Sequence, residues 1–150
     1  MGAFATELAV HQGQSVYGVA GAQGEAVIRG LSATFVPRSD DPAVSIRDAA
    51  GGPVDAVLDT AGLGEAVVGA VRDQGSFVAT VPQLAPSPVR GIQVSSVQVE
   101  ADGDRLGELV TLAEQGKLTL RVADLRHSRR GAGACSARKG GVRGRLVLTP

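Results

Sequence analysis

Residues 51–81 read GGPVDAVLDTAGLGEAVVGAVRDQGSFVATV, and this stretch decides the fold. Gly51, Gly52 and Pro53 break the chain, and VDAVLDT follows as a run of β-branched and apolar residues, the pattern of a buried strand. AGLGEAVVGAVRDQG returns to helical spacing and closes on Gly75, and SFVATV reads as the next strand. Strand, helix and strand in succession form the repeating unit of a parallel α/β sheet.

The same alternation extends in both directions. Residues 3–10 place Phe4, Leu8 and small neighbours at helical spacing, with Gly13 as a stop. SVYGVA, from Ser15, is an apolar run bounded by glycines and predicts a buried strand. Residues 23–31 are helical in spacing, and TFVP is a strand stopped by Pro37. Asp40 or Asp41 can cap a helix that begins at Pro42 and runs through Ile46 and Ala50.

Beyond SFVATV, PQLAPSP is a proline-rich loop and GIQVSSVQV alternates as a strand. ADGDRLGELVTLAEQGK is an amphipathic helix with Leu106, Leu109, Val110 and Ala113 on one face, and LTLRV and GRLVLT are late strands. About six strand candidates separated by helices predict a doubly wound, mostly parallel α/β sheet.

Composition narrows the function classes. The 150 residues are 43% hydrophobic and 20% charged with zero formal net charge, which describes a globular domain and supplies no global field toward nucleic acid or an anionic membrane. Aromatic residues are confined to Phe4, Tyr17, Phe35 and Phe77, too few for base-stacking platforms. Cys135 is the single cysteine, and His11 and His127 lack the spacing of a helical zinc pair, so no metal site is expected. With no apolar span and no leader pattern, a cytoplasmic location is expected.

GAFATELA, SVYGVAG, LSATFVPRSDD, GGPVDAVLDTAG, VRDQGSFVAT and the closing GKL and GGVRGRLVLTP stand in an order that resembles a known family. It is the nucleotide-binding domain of the medium-chain dehydrogenase/reductases, in the zinc-independent quinone oxidoreductase branch. The resemblance implies a Rossmann-type dinucleotide-binding domain over residues 1–150. In that family a strand and a glycine-rich turn precede the wording GAFATELA; here Gly2 matches the last glycine, and Met1 stands where Val is usual. The expectation is therefore an N-terminally truncated chain that lacks the central first strand and the GroES-like catalytic domain. SVYGVA and VDAVLDT would then lose their shared neighbour, and would either expose open backbone groups or pair with each other.

The resemblance also implies sites. Gly2 and Ala3 are what remains of the turn that cradles the pyrophosphate. At the end of SVYGVA, Ala20, Gly21, Ala22 and Gln23 offer no carboxylate for ribose hydroxyls, which favours NADPH over NADH, with Arg29 and Arg38 as phosphate partners. Thr60, Ala61 and Gly62 lie at the carboxyl edge of one strand, and Thr80 and Val81 at that of the next, where the nicotinamide would rest. Gly144, in GVRGR between Arg143 and Arg145, matches the closing turn that approaches the cofactor. Asp59 has no acid or histidine partner nearby in sequence and reads as a structural carboxylate accepting backbone donors.

No nucleophilic triad or paired-carboxylate set is legible, which fits a reaction that depends on positioning. The implied activity is hydride transfer from NADPH to a quinone or enone, in a chain impaired as a fragment. The resemblance allows a homodimer through the edge strand near GIQVSSVQV. A non-catalytic nucleotide- or partner-binding module, and a gene remnant, remain open alternatives.

One segment departs from the family. Residues 125–139 should resemble a helix with an apolar entry, yet LRHSRRGAGACSARK carries no apolar stripe. It reads as a basic loop, or as the product of two compensating frameshifts.

Overall fold

The computed structural model describes residues 1–127 and 144–149, which belong to two compact units, Met1–Gly103 and Asp104–Pro150. The first unit opens with helix α1 (Gly2–His11), strand β1 (Tyr17–Ala20), a 3₁₀ turn at Ala22–Gly24, helix α2 (Glu25–Gly30) and strand β2 (Thr34–Pro37). Helix α3 (Pro42–Ala50), β3 (Val54–Asp59), the single-turn helix α4 (Glu65–Val68), β4 (Val71–Ala79), a 3₁₀ turn at Pro82–Leu84 and β5 (Gln93–Ser96) complete it. The second unit holds α5 (Gly103–Glu114), which starts at the boundary, and the parallel pair β6 (Val122–His127) and β7 (Arg145–Thr149).

Every described strand pairing is parallel, as the alternation predicts, but the strands form three ladders and not one sheet. In the first unit β1 pairs with β2, while β3, β4 and β5 form a separate ladder with β4 in the middle. SVYGVA and VDAVLDT do not pair with each other. Of the two outcomes expected for neighbours deprived of a shared strand, the chain adopts open edges.

Helix α3 holds these two ladders together. Asp41 caps it by accepting a hydrogen bond from the Val44 N–H at 3.0 Å, Pro42 occupies the first turn, and Gly51 closes it in the left-handed conformation. Such a cap contributes about 1 kcal/mol. Ala43 and Ile46 of α3 join Val36 of β2, Phe77 of β4 and Val67 of α4 in one buried core, against which Tyr17 and Val19 of β1 and Val54 and Val57 of β3 also pack. The core is thus continuous on the α3 side even though the backbone ladder is not.

Three expectations need correction. The helix predicted over 61–75 shrinks to Glu65–Val68, and the chain is already in β4 at Val71. The carbonyl of Val68 accepts from Arg90 Nη2 at 3.2 Å and that of Gly69 from Arg47 Nη1 at 3.0 Å, so long-range arginines terminate the helix. Val71 is then fully buried opposite Val54. Second, the strands expected to be buried are only partly so: β1 is half-buried throughout, and in β3 Ala56 is exposed and Leu58 is 43% exposed. Among the described residues, both have an edge with no neighbouring strand. Third, the strand expected at LTLRV lies further on, at Val122–His127, so residues 125–127 extend a strand where the family resemblance predicts a helix. The rest of that segment, Cys135 included, lies outside the described residues, as does Arg143.

Candidate functional site

A cleft of about 750 Å³ opens between the two ladders of the first unit, with β1 along one wall and β3 along the other. Helix α1 borders it through small residues at successive turns, Gly2, Ala5, Thr6 and Ala9, and α3 through Ile46 and Ala50. The small residues let the helix lie close: a Cβ added at Gly2 would come 3.1 Å from Thr60 Oγ1. The first turn of α1 therefore sits directly against the end of β3.

That first turn is rich in donors. Met1 is the N-cap and supplies no side-chain cap, and the first intrahelical bond runs from the Ala5 N–H to the Met1 carbonyl at 3.2 Å. The N–H groups of Gly2, Ala3 and Phe4 precede it and have no intrahelical acceptor, which with the helix dipole makes a place for an anion.

The turn after β3 is built by Asp59, which is 4% exposed. Its carboxylate accepts from the Ala61 N–H at 2.9 Å, the Gly62 N–H at 2.9 Å and the Gly64 N–H at 2.8 Å. Asp59 is thus the structural carboxylate expected from its lack of partners, and it sets the path of Thr60, Ala61 and Gly62. Thr80 is tied to the same turn: its N–H donates to the Asp59 carbonyl at 3.0 Å and its Oγ1 at 2.9 Å. Val81 follows, 38% exposed, at the start of the 3₁₀ turn.

On the opposite wall, the Arg38 N–H donates to the Ala20 carbonyl at 3.0 Å, so the end of β1 and the residue after β2 meet. Arg38 is exposed and takes part in none of the described ion pairs. Arg29, by contrast, is bound to Glu25 one turn earlier at 2.9 Å.

The structure therefore gathers Gly2, Ala3, Ala20, Thr60 and Ala61 on one cleft. It places Gly21 and Arg38 beside Ala20, and Gly62, Thr80 and Val81 next to the Asp59 turn, outside the cleft lining. Gly144 belongs to the second unit, at the foot of β7. Sequence reasoning overlooked Gly64 and the small stripe of α1. The signals were present, as a fifth-residue donor after Asp59 and as small residues at 2, 5, 6 and 9. Among the described residues no group of His, Cys, Asp and Glu could hold a metal ion, and no helix is long and apolar enough to cross a membrane.

No family model and no curated protein matches the chain. Solved structures do. An NAD-dependent alcohol dehydrogenase superposes with a TM-score of 0.82 at 22% identity, over 99% of this chain and 47% of its own. The quinone oxidoreductase from Coxiella burnetii gives 0.80 at 21%, over 99% and 49%. The quinone oxidoreductase from Pseudomonas syringae pv. Tomato DC3000 gives 0.75 at 18%, over 99% and 53%. The chain spans about half the length of these structures. At such identities the likeness establishes the fold: a Rossmann-like α/β domain, with no described strand between β1 and β3.

Proposed function

We propose that the chain is the nucleotide-binding portion of an NADPH-dependent, zinc-independent oxidoreductase that reduces a small quinone or enone. The observation that carries this reading is the meeting of an uncapped helix N-terminus with the ends of two strands, at Gly2, Ala20 and Thr60. Open α/β sheets bind dinucleotides at such an edge, and free N–H groups there suit a pyrophosphate. The dehydrogenase and the two quinone oxidoreductases named above support the same class of chemistry.

Each residue has a part in this reading. The N–H groups of Gly2 and Ala3, which have no intrahelical acceptor, would hold the pyrophosphate. Ala20 and Gly21 would leave room beside the ribose, and Arg38, whose backbone N–H donates to the Ala20 carbonyl, would offer its guanidinium to the 2′-phosphate. Thr60, Ala61 and Gly62, in the turn that Asp59 fixes, together with Thr80 and Val81, would hold the nicotinamide half. The bound cofactor supplies the hydride; the residues present bind and orient it, and contribute no acid or nucleophile. The substrate pocket and a GroES-like domain belong, on this reading, to a further portion of a longer, cytoplasmic enzyme, and a homodimer would form along β5.

Calorimetric titration tests this. NADPH is expected to bind more tightly than NADH, and Arg38→Ala to weaken NADPH about tenfold, roughly 1.4 kcal/mol, while leaving NADH unchanged. Equal affinity for the two cofactors would overturn the NADPH assignment. Failure of both to bind at millimolar concentration would overturn the nucleotide site itself.

A further inference from the structure

The turn after β3 and the 3₁₀ turn after β4 carry large apolar side chains with open faces. Leu63, between Gly62 and Gly64, is 40% exposed and lines the cleft. Val81 and Leu84 bracket the 3₁₀ turn, joined by a bond from the Leu84 N–H to the Val81 carbonyl at 3.0 Å. The Leu84 side chain lies over Gly62, where an added Cβ would come 2.6 Å from its Cδ1, yet it is 49% exposed. One side of this leucine rests on glycine and the other is open.

Charge is scarce around it. Residues 76–89 contain no charged side chain, and residues 56–71 contain only Asp59 and Glu65. Both carboxylates serve backbone donors. Asp59 is buried and accepts from the N–H groups of Ala61, Gly62 and Gly64, and Glu65 Oε1 accepts from the Ser87 N–H at 2.7 Å. The Thr80 hydroxyl is likewise turned to the Asp59 carbonyl. The open face of Leu84 thus offers apolar contact area beside carboxylates that are already engaged.

We infer that Leu84, with Val81 and Leu63, makes the site select the reduced cofactor over the oxidised one. This deepens the proposed function and rests on its placing of the nicotinamide half beside Thr60, Ala61, Gly62 and Val81. The reduced nicotinamide ring is uncharged, whereas the oxidised ring carries a positive charge. Contact with leucine and valine takes water from either ring. The uncharged ring gains by that burial, and the cation loses hydration with no free anion to replace it. The adenosine, its 2′-phosphate and the pyrophosphate are the same in both forms, so the whole difference falls on the ring. Leu84 is therefore a specificity-determining residue for redox state, and the oxidised cofactor is the form that the site releases.

Calorimetry on the whole chain tests this with NADPH, NADP+ and 2′,5′-ADP, the last lacking the nicotinamide half. The unaltered chain is expected to bind NADPH about tenfold more tightly than NADP+. Leu84→Asp sets a carboxylate at the open face and is expected to bring that ratio to unity or reverse it, with 2′,5′-ADP affinity unchanged. Leu84→Asn has the same shape without the charge and is expected to keep NADPH preferred. Retained 2′,5′-ADP binding shows that each variant is folded. Equal affinity of the unaltered chain for NADPH and NADP+ would overturn the inference, and that measurement needs no variant. The same ratio in Leu84→Asp as in the unaltered chain would also overturn it, while leaving the nucleotide site standing. Failure of all three ligands to bind the unaltered chain would remove the nucleotide site and this inference together.

Discussion

Asp59→Ala is expected to lower the unfolding free energy of the chain by about 3 kcal/mol, in urea titrations followed by circular dichroism. The carboxylate holds three backbone N–H groups, at Ala61, Gly62 and Gly64, and the bond to Gly64 is buried. Hydrogen bonds to a charged acceptor contribute about 1.5–3 kcal/mol each, and water reaches two of the three donors, which limits the total. Asp59→Asn keeps the shape and an acceptor oxygen, so a loss of roughly half that size is expected. A change below about 1 kcal/mol for the alanine variant would show that the turn holds without its carboxylate. The functional consequence is direct, because this turn positions Thr60, Ala61 and Gly62 against the first turn of α1.

Gly64→Ala should be comparably damaging, by about 2–4 kcal/mol. Gly64 adopts φ 49° and ψ −116°, a conformation that suits glycine, and a Cβ there would be driven into the backbone carbonyl of Leu84. Leu84→Ala therefore gives no relief in combination with it. The neighbouring Gly62→Ala behaves differently. Its Cβ would meet the Leu84 side chain, 2.6 Å from Cδ1, so Leu84→Ala is expected to recover part of its loss. Equal rescue at both positions would contradict the distinction between a side-chain and a backbone obstacle.

Much of the first unit is legible in the sequence because its signals are local. Asp41 with Pro42 marks the start of α3, Gly51 its end, and the β-branched runs TFVP and VDAVLD give β2 and β3. The stretch from Ala66 to Arg72 is not legible, because Ala-Val-Val-Gly-Ala-Val satisfies a helix and a strand equally well. Two arginines distant in sequence, Arg47 and Arg90, decide where the helix stops. Burial of β1 and β3 is misjudged for a related reason. An apolar run indicates that a strand can be covered on both faces, and it carries no information about whether a neighbour is present at its edge.

The site shows the same division. Asp59 could be read from its neighbours, since it serves donors two, three and five residues ahead. Arg38 could be ranked with Arg29 from type alone, and only the structure separates them, by giving Arg29 to Glu25. The stripe at Gly2, Ala5, Thr6 and Ala9 was hidden by the stronger apolar pair Phe4 and Leu8.

Amide hydrogen exchange of the free chain tests the open sheet most directly. With no strand between β1 and β3 among the described residues, the amides of Tyr17, Val19, Ala56 and Leu58 should exchange rapidly, while those of Gly18, Ala20, Val57 and Asp59, which face β2 and β4, stay protected. Uniform protection along both strands would mean that the edges are paired and the cleft does not exist.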